Sequence, residues 1–233
     1  MLPPAMREIW LSTQRRPASC PACDSVPRFY IFGLYASDMA TPANTWNPRG
    51  SEWHRWEPHI HAPGTLRNDQ FGGDVEGYVR AINSAQPTIR VLGVTDYCSI
   101  ESYRAVRKLK QEGKLPAIDL IFPNVEVRLD IGTASAKGIN LHLLFSPEQP
   151  DHESHIERLL GEFGFDFRGR VWRCNRGDLI ALGRNMEPKH HQDGPALSEG
   201  VNQFKVSFPQ LRDIFRRDAW LRENCLIGIA AAG

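Results

Sequence analysis

No stretch of this chain approaches the roughly 18 consecutive apolar residues of a membrane-crossing helix, so the sequence offers no transmembrane candidate. The opening residues, MLPPAMREIW, lack a charged leader followed by an apolar segment, which argues against a secretory signal. Cysteine is scarce and scattered, at Cys20, Cys23, Cys98, Cys174 and Cys225. An odd number at such spacings describes no disulfide framework, and a reducing, cytoplasmic compartment is the expectation. Charge bias is small: a formal net charge of +1 gives no pull toward nucleic acid or membrane, though a local basic rim fits within a balanced total. Several catalytic signatures are missing too. There is no G-x-S-x-G elbow. Gly132 to Gly138 (GTASAKG) lacks the Gly-Lys-Ser/Thr ending of a phosphate loop and leads into a strand, so it reads as a hairpin turn. Cys20-Pro-Ala-Cys23 has no second half of a zinc-binding set after it.

What is present is ordinary globular material, 41% hydrophobic and 24% charged residues, enough for a sizeable core. Residues 1–50 stand apart, rich in Pro, Ser, Arg and Trp with little periodicity, and only Arg28 to Tyr35 is strand-like. They are expected to be a poorly structured extension, with residues 51–233 forming the domain. From Trp53 on, strands alternate with helices. Glu57–His61 reads as a strand ending at Pro63-Gly64. Asp74 caps a helix with Val75, Tyr78, Val79 and Ile82 on one face. Ile89–Thr95 is a buried strand, and Ser99 caps a helix carrying Ile100, Tyr103, Val106 and Leu109. Strands follow within Ile118–Val127 and at Ile139–Phe145, then a helix from Asp151. Residues 163–175 read as a short β excursion, with helices near 176–184 and 207–224. Cys225–Ala232 reads as a buried strand that reaches the end of the chain, which suggests a fragment. This alternation indicates βα units and a parallel sheet in an α/β fold.

The sharpest chemical signal is His59-Ile60-His61. In a strand, residues i and i+2 point to the same side about 6.5–7 Å apart, so two imidazoles can reach one metal or two adjacent ones. The strand then stops, which puts the pair at a C-terminal strand end, where α/β barrels keep their active sites. Asp96, Glu126 and His142 lie in or at the ends of the next three strands. A buried carboxylate or imidazole needs a partner, and a metal is one. Each also has a plainer reading: a helix cap for Asp96, a hairpin salt bridge for Glu126, a backbone-bonded core histidine for His142. His152 and His155 are expected on a polar, solvated helix face, and His190 and His191 in a loop. Phe165 to Arg173 (FDFRGRVWR) mixes aromatics with arginines, which suits either nucleic-acid contact or a surface hairpin.

In order and spacing, the segments PHIHAPGT, VLGVTDYCSIESY, FPNVEVRLD and INLHLLF resemble the first motifs of PHP (polymerase and histidinol phosphatase) domains. The nearest likeness is to the branch fused to P-loop, SMC-like ATPases, and it covers about residues 52–233. The resemblance implies a partial, C-terminally truncated seven-stranded (β/α) TIM-like barrel. It also implies divalent metals (Zn, Mn or Fe) and hydrolysis of a phosphate ester, with nucleotides or nucleic acid among the substrates. Carried over by motif, His59 and His61 match the opening ligand pair, Asp69 is the nearest acid after it, Glu126 matches the bridging glutamate and His142 the following histidine. Where the family has Thr-Asp-His this chain has Thr95-Asp96-Tyr97, leaving Asp96 to compensate as ligand or catalytic acid, or to support the site. No Asp-x-His follows His142. The alternative expectation is a catalytically degenerate PHP module that regulates or scaffolds a fused or adjacent ATPase in DNA repair or phage defence.

Overall fold

Each βα step expected from the sequence has a counterpart in the fold, but the sheet is mixed rather than parallel. The computed structural model of the chain describes residues 28–29, 53–132 and 138–231. Apart from Arg28–Phe29, the expected N-terminal extension, the Cys20/Cys23 pair included, lies outside the described residues. The chain divides into two units. One, Met1–Arg28 with Ala231–Gly233, contains only Arg28 and Ala231 among the described residues. The other, Phe29–Ala230, holds the helices and the candidate site.

The strands are β1 (Arg28–Phe29), β2 (Arg55–His61), β3 (Ile89–Tyr97), β4 (Leu120–Gly132), β5 (Gly138–Phe145), β6 (Gly164–Phe167), β7 (Arg170–Arg173) and β8 (Cys225–Ala231). The helices are α1 (Val75–Ser84), α2 (Glu101–Gln111), α3 (His152–Glu162), α4 (Arg176–Met186), α5 (Asp193–Gln203), α6 (Phe208–Arg217) and α7 (Ala219–Asn224). The main sheet has six strands in the order β1-β8-β5-β4-β3-β2, and β6 and β7 form a separate hairpin. Strands β2, β3 and β4 are parallel, joined by right-sized helical crossovers, whereas β5 runs antiparallel to both β4 and β8. The reversal follows from the short connection after Gly132: a hairpin can join only antiparallel strands. Among the described residues the sheet is open.

Side-chain alternation divides the sheet into two unlike faces. Leu92, Val94, Val125, Val127, Leu141 and Leu143 point to one side and build the large core with Tyr78, Tyr103, Ile156 and Leu182 of the helices. Burying each such side chain stabilises the fold by about 1.5–3 kcal/mol. The other face carries a small apolar cluster of Val91, Phe122 and Leu144 and, beyond it along the strands, buried polar residues that include Asn124, Glu126 and His142. Gly93 lies on this second face, where a Cβ would meet the Pro58 carbonyl at 2.2 Å and the Phe122 ring at 2.6 Å. Only a residue without a side chain lets β2 and the aromatic approach this closely.

Helix ends follow the sequence signals with some changes. The Asp74 side chain caps α1, accepting from Gly77 N. At α2, Ser99 Oγ accepts from Glu101 N at 3.1 Å, but the amide of Ser102 goes to Asp96 Oδ2 at 2.9 Å. The stretch expected as one helix over 207–224 breaks at Asp218, whose side chain caps α7 through Leu221 N. Helix α5 has no counterpart in the sequence expectations, because DGPALSEG holds two glycines and a proline. Pro195 falls in the first turn, where its missing N–H costs nothing. Gly183 and Gly200 lie where α4 and α5 meet backbone to backbone: a Cβ on either would come within 1.8 Å of a carbonyl of the other helix. His152 is not solvated as expected. It is 1% exposed and held by Tyr103 Oη at 2.9 Å and by the Gln149 carbonyl.

Candidate metal centre

Three of the singled-out side chains meet on the second face of the sheet, the one opposite the large core. His59, His61 and Glu126 each offer one ligand atom, and those atoms lie within 4.8 Å of one another. His59 Nε2 is 3.0 Å from His61 Nε2 and 3.8 Å from Glu126 Oε2. The edges of a tetrahedral site with 2.0–2.1 Å metal–nitrogen bonds are about 3.3 Å long, so these separations bracket the size of a coordination shell. His142 adjoins the group, its ring centroid 4.7 Å from that of His59.

Strand geometry brings this about. Glu126 pairs with His142 across the β4–β5 ladder and with Tyr97 across β3–β4, so all three share a face. In β2 the register shifts between Glu57 and Ile60. Pro58, which cannot donate to the ladder, sits in this irregular stretch at the edge of the sheet. That irregularity aims both His59 and His61 inward.

Burial sets the protonation states. It lowers the pKa of His59 to about 4, helped by the neighbouring His61, and that of His142 to about 3, helped by His59 and His61. Burial lowers His61 as well, against a backbone contact at Thr95 and the charge of Asp96. At neutral pH the imidazoles are therefore uncharged and have lone pairs to give. Glu126 is pushed up by burial, against hydrogen bonds from Tyr97 and Asn140 and the charges of Arg128 and Arg67. Glu126 Oε2 is buried without a hydrogen-bond partner, as is His61 Nδ1. Two neutral imidazoles and an orphaned carboxylate oxygen crowded together are a costly arrangement that a cation relieves. The donor set, two nitrogens and a carboxylate, suits a divalent ion such as zinc, manganese or iron.

Two asparagines orient the group, and neither belongs to the set read from the sequence. Asn140 Nδ2 donates to Glu126 Oε1 at 2.6 Å, which leaves Oε2 facing the histidines. Asn124 Nδ2 donates to the Pro58 carbonyl at 2.8 Å and to Thr95 Oγ1 at 3.0 Å. This fixes its oxygen toward His142 Nδ1, 3.2 Å away, so Nδ1 carries the proton and Nε2 the lone pair. Their signal in the sequence is period-2 spacing alone: Asn124 precedes Glu126, and Asn140 precedes His142, by two residues.

The remaining candidates lie outside the group. Asp96 falls on the helix-covered face, one residue off the alternation that carries Thr95 and Tyr97. Its carboxylate accepts from Ser102 N and Tyr97 N, with Thr65 Oγ1 at 3.4 Å. Asp69 is committed to the loop after β2, accepting from Gly64 N, Gly73 N and Phe71 N. These amides hold its pKa down, that of Gly64 most. Tyr97 stacks on His61 with ring centroids 5.4 Å apart, and its hydroxyl accepts from Asn68 Nδ2 at 2.7 Å. No family model matches the chain, and no curated protein matches it. No helix of the described residues is long and apolar enough to cross a membrane.

Proposed function

We propose that this chain carries the metal-binding part of a PHP-type phosphoesterase, with His59, His61 and Glu126 as ligands and His142 beside them. The observation that supports this reading is the convergence of the two His59/His61 Nε2 atoms on the partnerless Glu126 oxygen. The chemistry a divalent ion supplies in such a site is Lewis acidity toward a phosphoryl oxygen and acidification of a water. The protein's own share is to hold the ligands neutral or anionic, to orient them through Asn124 and Asn140, and to keep the floor of the site dry with Val91, Phe122 and Leu144. On this reading the open sheet belongs to a seven-stranded (β/α) barrel, and the substrate is a phosphate ester.

A second reading has its own observation. Tyr97 occupies the position of the family's second-motif histidine and stacks on His61, which favours a non-catalytic module that serves an associated ATPase. One experiment separates the two. Divalent metal content of the purified chain is measured beside hydrolysis of a generic phosphate ester. One or more ions per chain, lost together with hydrolysis in His59→Ala and Glu126→Gln, supports the enzyme. Retained metal without hydrolysis in the native protein supports the module. A wild-type chain that holds no metal under any loading condition sinks both.

A further inference from the structure

Five arginines are partly buried among the described residues: Arg55, Arg67, Arg90, Arg104 and Arg128. Three of them hold carboxylates, Arg55 with Glu57 at 2.5 Å, Arg90 with Asp119 at 2.7 Å and Arg104 with Glu153 at 2.8 Å. Arg67 and Arg128 form no ion pair with any described residue. Instead both turn to Asn202: Arg67 Nη1 donates to its Oδ1 at 2.5 Å, and Arg128 Nη1 to its backbone oxygen at 3.3 Å. A guanidinium has five N–H donors, and most of those on these two residues meet no acceptor among the described residues. Both charges reach Glu126, but no carboxylate oxygen of the described residues closes an ion pair with either guanidinium, and a partly desolvated cation gains from a closer anion, so the pair suits a negative partner from outside.

Their position says which. Arg128 is two residues past Glu126 on the same strand and face, one strand repeat or about 6.5–7 Å along, and opposite Asn140. Asn140 links the two, donating to Glu126 Oε1 and accepting from Arg128 Nε at 3.4 Å. Beyond Arg128 opens a cavity of about 680 Å³, lined among the described residues by Arg128, Asp130, Asn140 and Lys205, with Gly132 and Gly138 at the hairpin end. The acids facing this region are Glu126 itself and Asp130, whose Oδ1 accepts from Phe208 N at 3.3 Å.

We propose that Arg67 and Arg128 form an anion subsite for a second phosphate, so that the substrate carries two neighbouring phosphate groups, one over the ligand cluster and one held by the guanidiniums. This rests on the phosphoesterase reading for the first phosphate but not for the second. Forked guanidiniums suit phosphate oxygens bidentately. The neighbouring phosphate has two chemical sources, a diphosphate linkage and a nucleic-acid backbone.

The test is calorimetric binding to the full chain freed of metal, with orthophosphate, pyrophosphate and a 5′-phosphorylated dithymidylate as probes. At least tenfold tighter binding of pyrophosphate or of the dinucleotide than of orthophosphate is expected, and which one binds identifies the source. Arg67→Gln and Arg128→Gln each weaken it tenfold or more, whereas Arg90→Gln, whose ion pair with Asp119 lies at the start of β3, leaves it within threefold. Equal binding of all three probes, no binding, or variants that bind like the native chain overturn the proposal. If Arg128→Gln does not fold, Arg128→Lys carries the test: it keeps the charge and loses the fork, and an unchanged probe preference in a folded Arg128→Lys protein is equally fatal. Metal content is scored separately, so a chain that binds pyrophosphate but no metal removes the phosphoesterase reading and leaves the subsite standing.

Discussion

Asn140 tests whether the candidate centre depends on more than its ligands. It donates to one oxygen of Glu126 and so decides which oxygen faces His59 and His61. Removing a group that orients a ligand typically costs 10–100-fold in metal affinity. Asn140→Ala should therefore weaken divalent-ion binding by about that factor while the apo protein keeps its melting temperature within a few degrees. Competition with a chromophoric chelator measures it, and unchanged affinity would show that Glu126 is oriented by other means. The contrast with Asp96 is instructive. In the sequence Asp96 looks as good a ligand as Glu126, since both are acids at strand ends. The difference is one step of alternation, which turns Asp96 to the amides at the start of α2. His59, His61, Glu126 and His142 were legible because their residue types announce chemistry. Asn124 and Asn140 were not, because an asparagine announces a turn or a cap as readily as a hydrogen bond to a ligand.

Helices α4 and α5 raise the parallel question for an element. Their contact passes through Gly183 and Gly200, where a Cβ would fall 1.8 Å from the Ala196 and Leu179 carbonyls respectively. Those obstacles are backbone, so a methyl group can be accommodated only by moving one helix from the other. Gly183→Ala should cost about 1–3 kcal/mol, read as a lower midpoint in urea. The double variant with Gly200→Ala should cost less than the sum of the two, because one displacement makes room for both methyls. Additive losses would mean that the sites relax independently. This contact also explains why α5 was not legible in the sequence. Local propensity counts two glycines and a proline as breakers, whereas the fold uses the proline in a first turn and a glycine as the point of contact. The strands and helices of residues 55–111 were legible because their apolar periods and caps agree, as Asp74, Tyr78 and Ile82 show. The direction of β5 was not, since apolar INLHLLF carries no mark of orientation, and only the short connection from Gly132 implies it.

For the whole molecule, the candidate centre ties metal to folding. Its ligands come from β2 and β4, with His142 on β5, so the site exists only when the sheet is assembled, and an ion that binds the native state alone adds stability. At free metal about a hundred times the dissociation constant the gain is about 2.7 kcal/mol. The melting temperature of the native chain should thus rise with added zinc or manganese and fall back with chelator, while His59→Ala shows neither change. Acid separates the metal's effect from that of the apo protein. His59 and His142 have folded-state pKa values lowered to about 4 and about 3, against about 6.5 in an unfolded chain. The unfolded chain therefore takes up protons first. Stability from these neutral imidazoles is complete above about pH 6.5 and declines as pH falls toward 4, whereas in the folded state the same groups keep their lone pairs until the pH nears their lowered pKa values, so the ion is released only there. Melting curves with metal and with chelator should both fall below about pH 6.5 but stay separate until the pH approaches about 4, and converge below it. Curves that stay parallel through that lower range would place the bound ion elsewhere on the molecule, away from the histidines of β2.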